Sequence, residues 1–376
     1  MKLIKMCSKA EEQSMKIISE KGSASTSKEN DSDDIWEDSL EDDYLVAAAD
    51  FFEEKAKLPQ DPLHTIRGGM LWVTDFVGQA WCEQQMFYKL RPPLDEMGDV
   101  IIEDLANKPS VKAGTDMHAE RELEIQTPVH VDVTCREDKY AIKLLNMIIA
   151  ANSLMQGHSR REIPIFGMPS NHGVFIVGII DEIRCDPNTQ ELDLVEFKTR
   201  ERNSTPGNAQ KKTHEMQLCI YNQMWDELVT GKFYDKQAYA NHLRLDLTAE
   251  LGAGVLNEIR SATIDAFHVK NLDQLLDVCF SHMRHLTCIN QIYIEYTFQR
   301  DKSLIGIEEV LFNEKVFNQK MAHAISYWKG ERSIDGVDIE DAWKCNKCDF
   351  REVCAWRKKK AEECAEKNNN KRLRVQ

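Results

Sequence analysis

The sequence predicts an α/β protein, and three observations carry that prediction. Residues 173–200, GVFIVGIIDEIRCDPNTQELDLVEFKTR, read as two strands joined by a turn, because apolar β-branched runs flank Asp186, Pro187, Asn188 and Thr189. Segments 73–90, 138–156 and 213–228 carry apolar residues at helical spacing. Shorter strand-like runs at 129–135, 163–168 and 291–298 lie between and after them.

The chain of 376 residues is long enough to bury a full core, and its 42% hydrophobic content fits a globular protein. No apolar run approaches the ~18 residues needed to span a bilayer. The start lacks the apolar stretch of a secretory signal, and its acids argue against a mitochondrial presequence. Residues 29–54 hold twelve acids and no Lys or Arg, so the remainder carries only −3 of the net −15. Residues 1–60 therefore read as a disordered acidic leader, in which Trp36 and residues 44–49 could form a short helix. Basic groups gather instead at Lys198, Arg200, Arg202, Lys211 and Lys212, and again in the tail 361–376 with the adjoining Arg357, Lys358, Lys359 and Lys360. Segregated charge of this kind can carry a polyanion.

Thr74 is expected to cap the helix 73–90, which Arg91-Pro92-Pro93 ends, and a further helix is expected over 99–106. In AGTDMHAERELEIQ, a helix capped by Thr115 would place His118 and Glu122 one turn apart on one face. Tyr140, Ile142, Leu144, Leu145, Ile148 and Ile149 form the apolar stripe of 138–156. A polar loop follows Lys198, and the helix 213–228 then aligns His214, Gln217 and Tyr221 on one face. Residues 232–247 suggest a hairpin or strand, and 255–330 mainly helices around the strand at 291–298.

The hairpin carries the chemistry. With its turn centred between Asn188 and Thr189, Asp181 stands opposite Glu196, and Lys198 lies two residues on along the same strand face. Two carboxylates this close repel unless a cation lies between them. Two acids and a lysine on one strand face form a plausible hydrolytic metal site, and His118 can supply a third ligand.

Near the end, Cys345, Cys348 and Cys354 follow the spacing C-x₂-C-x₅-C, which can wrap a metal centre on a tight loop. Eleven cysteines without an export signal point to metal ligation rather than disulfides. The fourth ligand is open at this stage. Cys364 is local but sits among Lys and Glu, whereas Cys82, beside Trp81 on an apolar helix, is better placed for burial.

The chain resembles exonuclease V, a RecB-like family of PD-(D/E)xK nucleases with an iron–sulfur cluster. The resemblance rests on VTDFVGQAWCEQQ with Cys82, GTDMH with His118, GIID with Asp181, EFK with Glu196 and Lys198, QLCIY with Gln217 and Tyr221, and the terminal cysteines, in that order over 70–360. It implies a restriction-endonuclease-like core, a mixed sheet flanked by helices with helical additions, over residues 61–360. It implies a 4Fe–4S cluster on Cys82, Cys345, Cys348 and Cys354 that clips the two ends of this domain together. His118, Asp181 and Glu196 would hold Mg²⁺ or Mn²⁺, with Lys198, Gln217 and Tyr221 completing the catalytic set and Glu122 in support. The implied activity is exonucleolytic hydrolysis of single-stranded DNA from free ends in genome maintenance. The enzyme would be a nuclear or cytosolic monomer working beside a single-strand-binding protein. Two other readings remain open: a non-catalytic single-strand-binding scaffold on the same fold, and a zinc-stapled endonuclease.

Overall fold

A computed structural model describes residues 61–94, 98, 101, 109–125, 131, 133–263 and 266–373. The expected leader, with Trp36 and residues 44–49, lies outside them, as does nearly all of the helix expected over 99–106. In chain order the elements are α1 (Pro62–Arg67), β1 (Met70–Trp72), α2 (Val73–Leu90), α3 (Pro109–Ile125), α4 (Arg136–Met155), β2 (Arg160–Gly167), β3 (Phe175–Cys185), β4 (Leu192–Arg200) and α5 (Asn208–Val229). There follow α6 (Lys236–Leu243), α7 (Ala253–Ala262), α8 (Leu272–Met283), β5 (Ile289–Phe298), β6 (Leu304–Glu309), α9 (Glu314–Trp328) and α10 (Ala355–Leu373).

The six strands form one mixed sheet flanked by helices, in the order β1-β3-β4-β5-β6 with β2 paired to β3. Pairing is parallel for β1/β3 and β4/β5 and antiparallel for β2/β3, β3/β4 and β5/β6. The register has a consequence for function. β2 runs along residues 176–183 of β3. On the other edge β1 covers 175–177 and β4 covers 182–185. Residues 178–181 therefore have no strand partner on that edge, and the sheet splits there. Beyond the split β4 pairs with β5 alone.

Helix α4 buries Tyr140, Leu144, Leu145 and Ile148 of its expected stripe against α8 and β2. Helix α5 is more deeply buried and packs on α2, β2, β4 and β5. Phe166, Phe175, Phe233, Tyr239 and Phe280 form an aromatic centre of the core.

Several local expectations are corrected. Residues 232–247 contain helix α6 and no strand. Tyr239, Ala240 and Leu243 are buried at helical spacing, Asp235 caps the start by accepting from Ala238 N–H, and Arg244 ends the helix in the left-handed region. Of the strand expected at 129–135, the described residues are not extended in a sheet, and Cys135 instead caps α4. Helix α2 is stapled by Asp75, which accepts the Trp72 N–H at 2.9 Å, and not by Thr74. Helix α3 begins at Pro109, so Thr115 is internal and donates to the Val111 carbonyl. Strand β6 was not anticipated.

Candidate active site

The split in the sheet is where the predicted residues converge. β3 and β4 pair with the expected register, from Cys185 opposite Leu192 to Glu182 opposite Val195. At the next position the ladder stops. The Asp181 carboxylate takes over, accepting the Phe197 N–H at 2.8 Å where a strand carbonyl would otherwise serve. Asp181 and Glu196 are thus neighbours at the point of divergence.

Glu196 is 1% exposed. Lys198 Nζ lies 2.5 Å from its Oε1. The ion pair is not aligned as a hydrogen bond, so among the described residues neither oxygen of this buried carboxylate has an aligned donor. Burial and the neighbouring Asp181 push Glu196 up to about 7 against the pull of Lys198. For Lys198 burial acts downward, but the Glu196 and Asp181 carboxylates outweigh it and raise the amine.

His118 reaches the same place from α3. Its ring, Glu162 of β2 and Asp181 offer ligand atoms that all lie within 4.8 Å of one another. Nδ1 of His118 is 3.6 Å from Glu162 Oε1. Burial works against charge on this imidazole, yet Asp181 and Glu162 outweigh it and push it up to about 9. A field that holds a proton so firmly holds a cation by the same means, and a metal ion would compete with that proton.

Helix α3 buries little apolar surface, Met117 being its one buried hydrophobic side chain among the described residues. Ion pairs hold it instead. Arg121 donates to Glu182 at 2.9 Å, and Glu182 is also bound by Arg161 and Arg184. The Arg121 guanidinium lies 3.8 Å over the Phe197 ring, against whose face His118 also packs edge-on. Glu122, expected to support the metal, lies near enough to Arg160 to act on its charge and belongs to no such group of ligand atoms among the described residues.

Helix α5 supplies the floor. His214, Gln217 and Tyr221 are all buried, at 6%, 8% and 3% exposure, so the stripe is a site face and not a solvated one. Gln217 Oε1 accepts from Lys198 Nζ at 3.2 Å. His214 meets the Tyr296 hydroxyl at 3.1 Å, and burial with Lys198 and Arg200 nearby pushes it down to about 3. Tyr221 packs so closely on Gly178 that a Cβ there would lie 2.7 Å from its ring and 2.9 Å from Val73. Gly178→Ala is therefore expected to lower the melting temperature by several degrees and cut activity, since neither neighbour can retreat from a packed core. Thermal melting beside a cleavage assay checks this, and an unshifted melt would refute it.

Glu162 is the residue that sequence reasoning missed. Its signal was weak: it precedes the expected strand 163–168 by one position and sits after two arginines. Of the basic groups after Lys198, Lys211 is paired with Glu308 and Arg200 donates to the Ser204 carbonyl and to Gln210 of α5, whereas Arg202 and Lys212 are exposed.

The cysteines occupy a second place. Cys82, Cys345, Cys348 and Cys354 line one cavity with Trp81, Tyr88, Phe350 and Trp356. At Cys82 the backbone of α2 leaves the helix for an extended conformation, turning this residue out of the helical row. The segment after residue 330 is fastened to α2 independently of the thiols. Arg332 grips Glu83 at 2.6 and 2.7 Å, Asp335 N–H donates to Glu83, and Lys344 Nζ donates to the Trp81 carbonyl. The Tyr88 hydroxyl accepts from Ala355 N–H at 3.1 Å. Cys364 is exposed and outside the cavity.

Comparison with known proteins follows this geometry. The family described as "Exonuclease V - a 5' deoxyribonuclease" matches residues 62–196, 184–274 and 264–357. Exonuclease V of Danio rerio is 37% identical over 297 residues, which are 79% of this chain and 73% of that one. "Uncharacterized protein ORF95" of Ostreid herpesvirus 1 (isolate France) is 21% identical over 262 residues, 64% of this chain and 81% of its own. Among solved structures, that of SSO0001 covers 84% of this chain and 96% of its own at 12% identity, with a TM-score of 0.36, too loose a likeness to carry an argument. The matches define a nuclease. The chain belongs to the exonuclease V family.

Proposed function

We propose that the chain is a metal-dependent 5' exonuclease acting on free single-stranded DNA ends in DNA repair, with a PD-(D/E)xK core over residues 61–360. The observation that carries the reading is the convergence of His118, Asp181, Glu196 and Lys198 where the sheet splits. The donor set fits Mg²⁺ or Mn²⁺: hard oxygens, one imidazole, and a buried carboxylate with two oxygens lacking aligned donors. When bound, the ion would lower the pKa of a water and neutralise charge building on the phosphate. His118, Asp181 and Glu196 would hold it. Lys198, fixed by Glu196 and Gln217, places a positive charge beside the phosphate as that charge grows. Tyr221 and Gln217 exclude water from the rear of the site and set the direction of the lysine. Arg202 and Lys212 offer phosphate contacts at its mouth, so affinity should fall with salt.

The non-catalytic scaffold is disfavoured because a pure binder gains nothing from buried carboxylates beside phosphates. For the thiols, no three of the four sulfurs lie within 4.8 Å of one another among the described residues. A single tetrahedral zinc would impose roughly 3.8 Å between sulfurs, closer than any three of these thiols stand. We therefore assign Cys82, Cys345, Cys348 and Cys354 to a 4Fe–4S cluster, which would tie α2 to the C-terminal segment. The protein is read as a monomer of the nucleus or cytosol. No helix among the described residues is long and apolar enough to cross a membrane, and a single-strand-binding protein is the partner such an enzyme would meet on its substrate.

A cluster that tied both ends of the domain together over the site would make a strand enter by threading. A duplex roughly 20 Å wide would be refused. Under Mg²⁺, linear single strands should be degraded and end-blocked strands protected, and closed single-stranded circles should survive. Rapid cutting of the circle would move the reading to an endonuclease.

A further inference from the structure

We infer that Arg121 is a positioning residue for the cleavage reaction: from the face of the sheet opposite Glu196 and Lys198 it fixes α3, and through α3 it fixes His118. The inference rests on the metal-dependent reading above and extends it to what holds the histidine in place.

Period-two geometry along β4 sends Glu196 and Lys198 to one face of the sheet and Phe197, between them, to the other. The register sets Phe197 beside Glu295 of β5. It also sets Glu182 of β3 beside Val195, two residues before Phe197 on the same face of β4. A buried acid and a half-buried one therefore flank the Phe197 ring on the face where α3 lies.

Apolar packing does little to hold the helix there, since its Val111 and Leu123 are 41% and 62% exposed. Arg121 holds it by other means. Its Nη2 donates to Glu182 Oε2 at 2.9 Å, its Nη1 lies 3.5 Å from Glu295 Oε1, and its guanidinium stands 3.8 Å over the Phe197 ring. The ring face attracts that cation as the two acids do. His118 stands three residues earlier, one turn along the same side of the helix, with its ring edge-on to Phe197 at 5.1 Å between centroids. Arg121 and His118 thus grip one ring together. Phe197 is in turn tied to the site, because its N–H donates to Asp181 at 2.8 Å. Arg161 adds a grip at Glu124, 2.9 Å away, nearer the end of the helix than His118.

Arg184 provides the contrast. It bridges the same two acids, with Nε 2.8 Å from Glu182 Oε1 and Nη2 3.1 Å from Glu295 Oε2, yet it belongs to β3 and not to α3. A network that only paired buried charge would use the two arginines alike. One that places the histidine depends on Arg121 alone.

The test compares Mg²⁺-dependent single-turnover cleavage of an end-labelled strand by the full-length protein and its variants, each read well below its melting temperature. Arg121→Met should cleave about 10–100-fold more slowly than the wild type, the usual loss when a group that orients a metal-site residue is removed. Single-strand binding in Ca²⁺ should be unchanged. Arg121→Lys keeps the charge and so guards against misfolding, but it lacks the planar fork that spans two acids and lies on a ring. Its rate should fall nearly as far. Arg184→Met should lower the melting temperature about as much as Arg121→Met and leave the rate at the wild-type level. In a His118→Ala background, Arg121→Met should lower the residual rate no further, because a residue that acts through His118 has nothing left to act on. Wild-type rates in Arg121→Met or Arg121→Lys, or an equal loss in Arg184→Met, would overturn the positioning role and leave the nuclease reading standing. Losses that multiply in the double variant would overturn it too, by showing that Arg121 acts through the strand and not the histidine. A wild type that cleaves no strand with Mg²⁺ or Mn²⁺ would overturn the metal-dependent reading, and this inference with it.

Discussion

Lys198→Ala should lower Mg²⁺-dependent hydrolysis by about 10²–10³-fold, the usual loss when one fixed donor to a developing charge is removed. Binding of a single strand should be nearly unchanged, because one cation among several phosphate contacts adds little to grip. The structure explains why so large an effect attaches to one amine. Its Nζ is held between Glu196 at 2.5 Å and Gln217 at 3.2 Å, so it cannot wander with solvent. Removing it also strips the buried Glu196 of its nearest positive charge. That carboxyl, already pushed up to about 7 by burial and Asp181, should then hold its proton still higher. The variant would therefore lose both the lysine and part of the anionic character of the metal site. Single-turnover cleavage of an end-labelled strand, with binding measured in Ca²⁺, separates these effects. Near wild-type cleavage by Lys198→Ala would mean that the reacting phosphate lies elsewhere.

The hairpin was legible because its turn is nearly symmetric. Asp186 to Thr189 fixes the centre, and period-two geometry then sets every opposed pair as far as Asp181 and Glu196. What the sequence did not reveal is that pairing ends there. That depends on β1 claiming the first part of the same edge of β3, a contact made across more than a hundred residues. Glu162 was hidden for a similar reason. Its importance comes from register with Asp181 and from a single left-handed residue, neither of which leaves a periodic trace. Helix α6 was misread because AYANHLRLDL alternates well enough for a strand. The capping carboxylate of Asp235 and burial at Tyr239, Ala240 and Leu243 settle it as a helix. On α5 the polar stripe was visible, but only packing shows that His214, Gln217 and Tyr221 face inward.

Cys82→Ser and Cys348→Ser should each lose iron and visible colour, while Cys364→Ser should lose neither. The first two residues line the shared cavity, and the third is exposed outside it. Joining Cys82 to the late cysteines closes a loop of more than 250 residues, and the entropy removed from the unfolded chain makes such a closure strongly stabilising. Loss of the cluster should therefore lower the melting temperature and the soluble yield. It should not detach the C-terminal segment, since Arg332, Asp335 and Lys344 still bind Glu83 and the Trp81 carbonyl. The thiol of Cys82 adds a pH dependence. Burial, with the other three cysteines as smaller contributors, pushes it up to about 11. Loading must therefore displace a proton, and apparent iron affinity should rise as pH rises toward that value. Iron content and absorbance of protein purified without oxygen measure all of this at once. A colourless preparation carrying zinc would exclude the cluster. Full iron in Cys82→Ser would remove Cys82 from the ligand set and point to another residue as the fourth ligand.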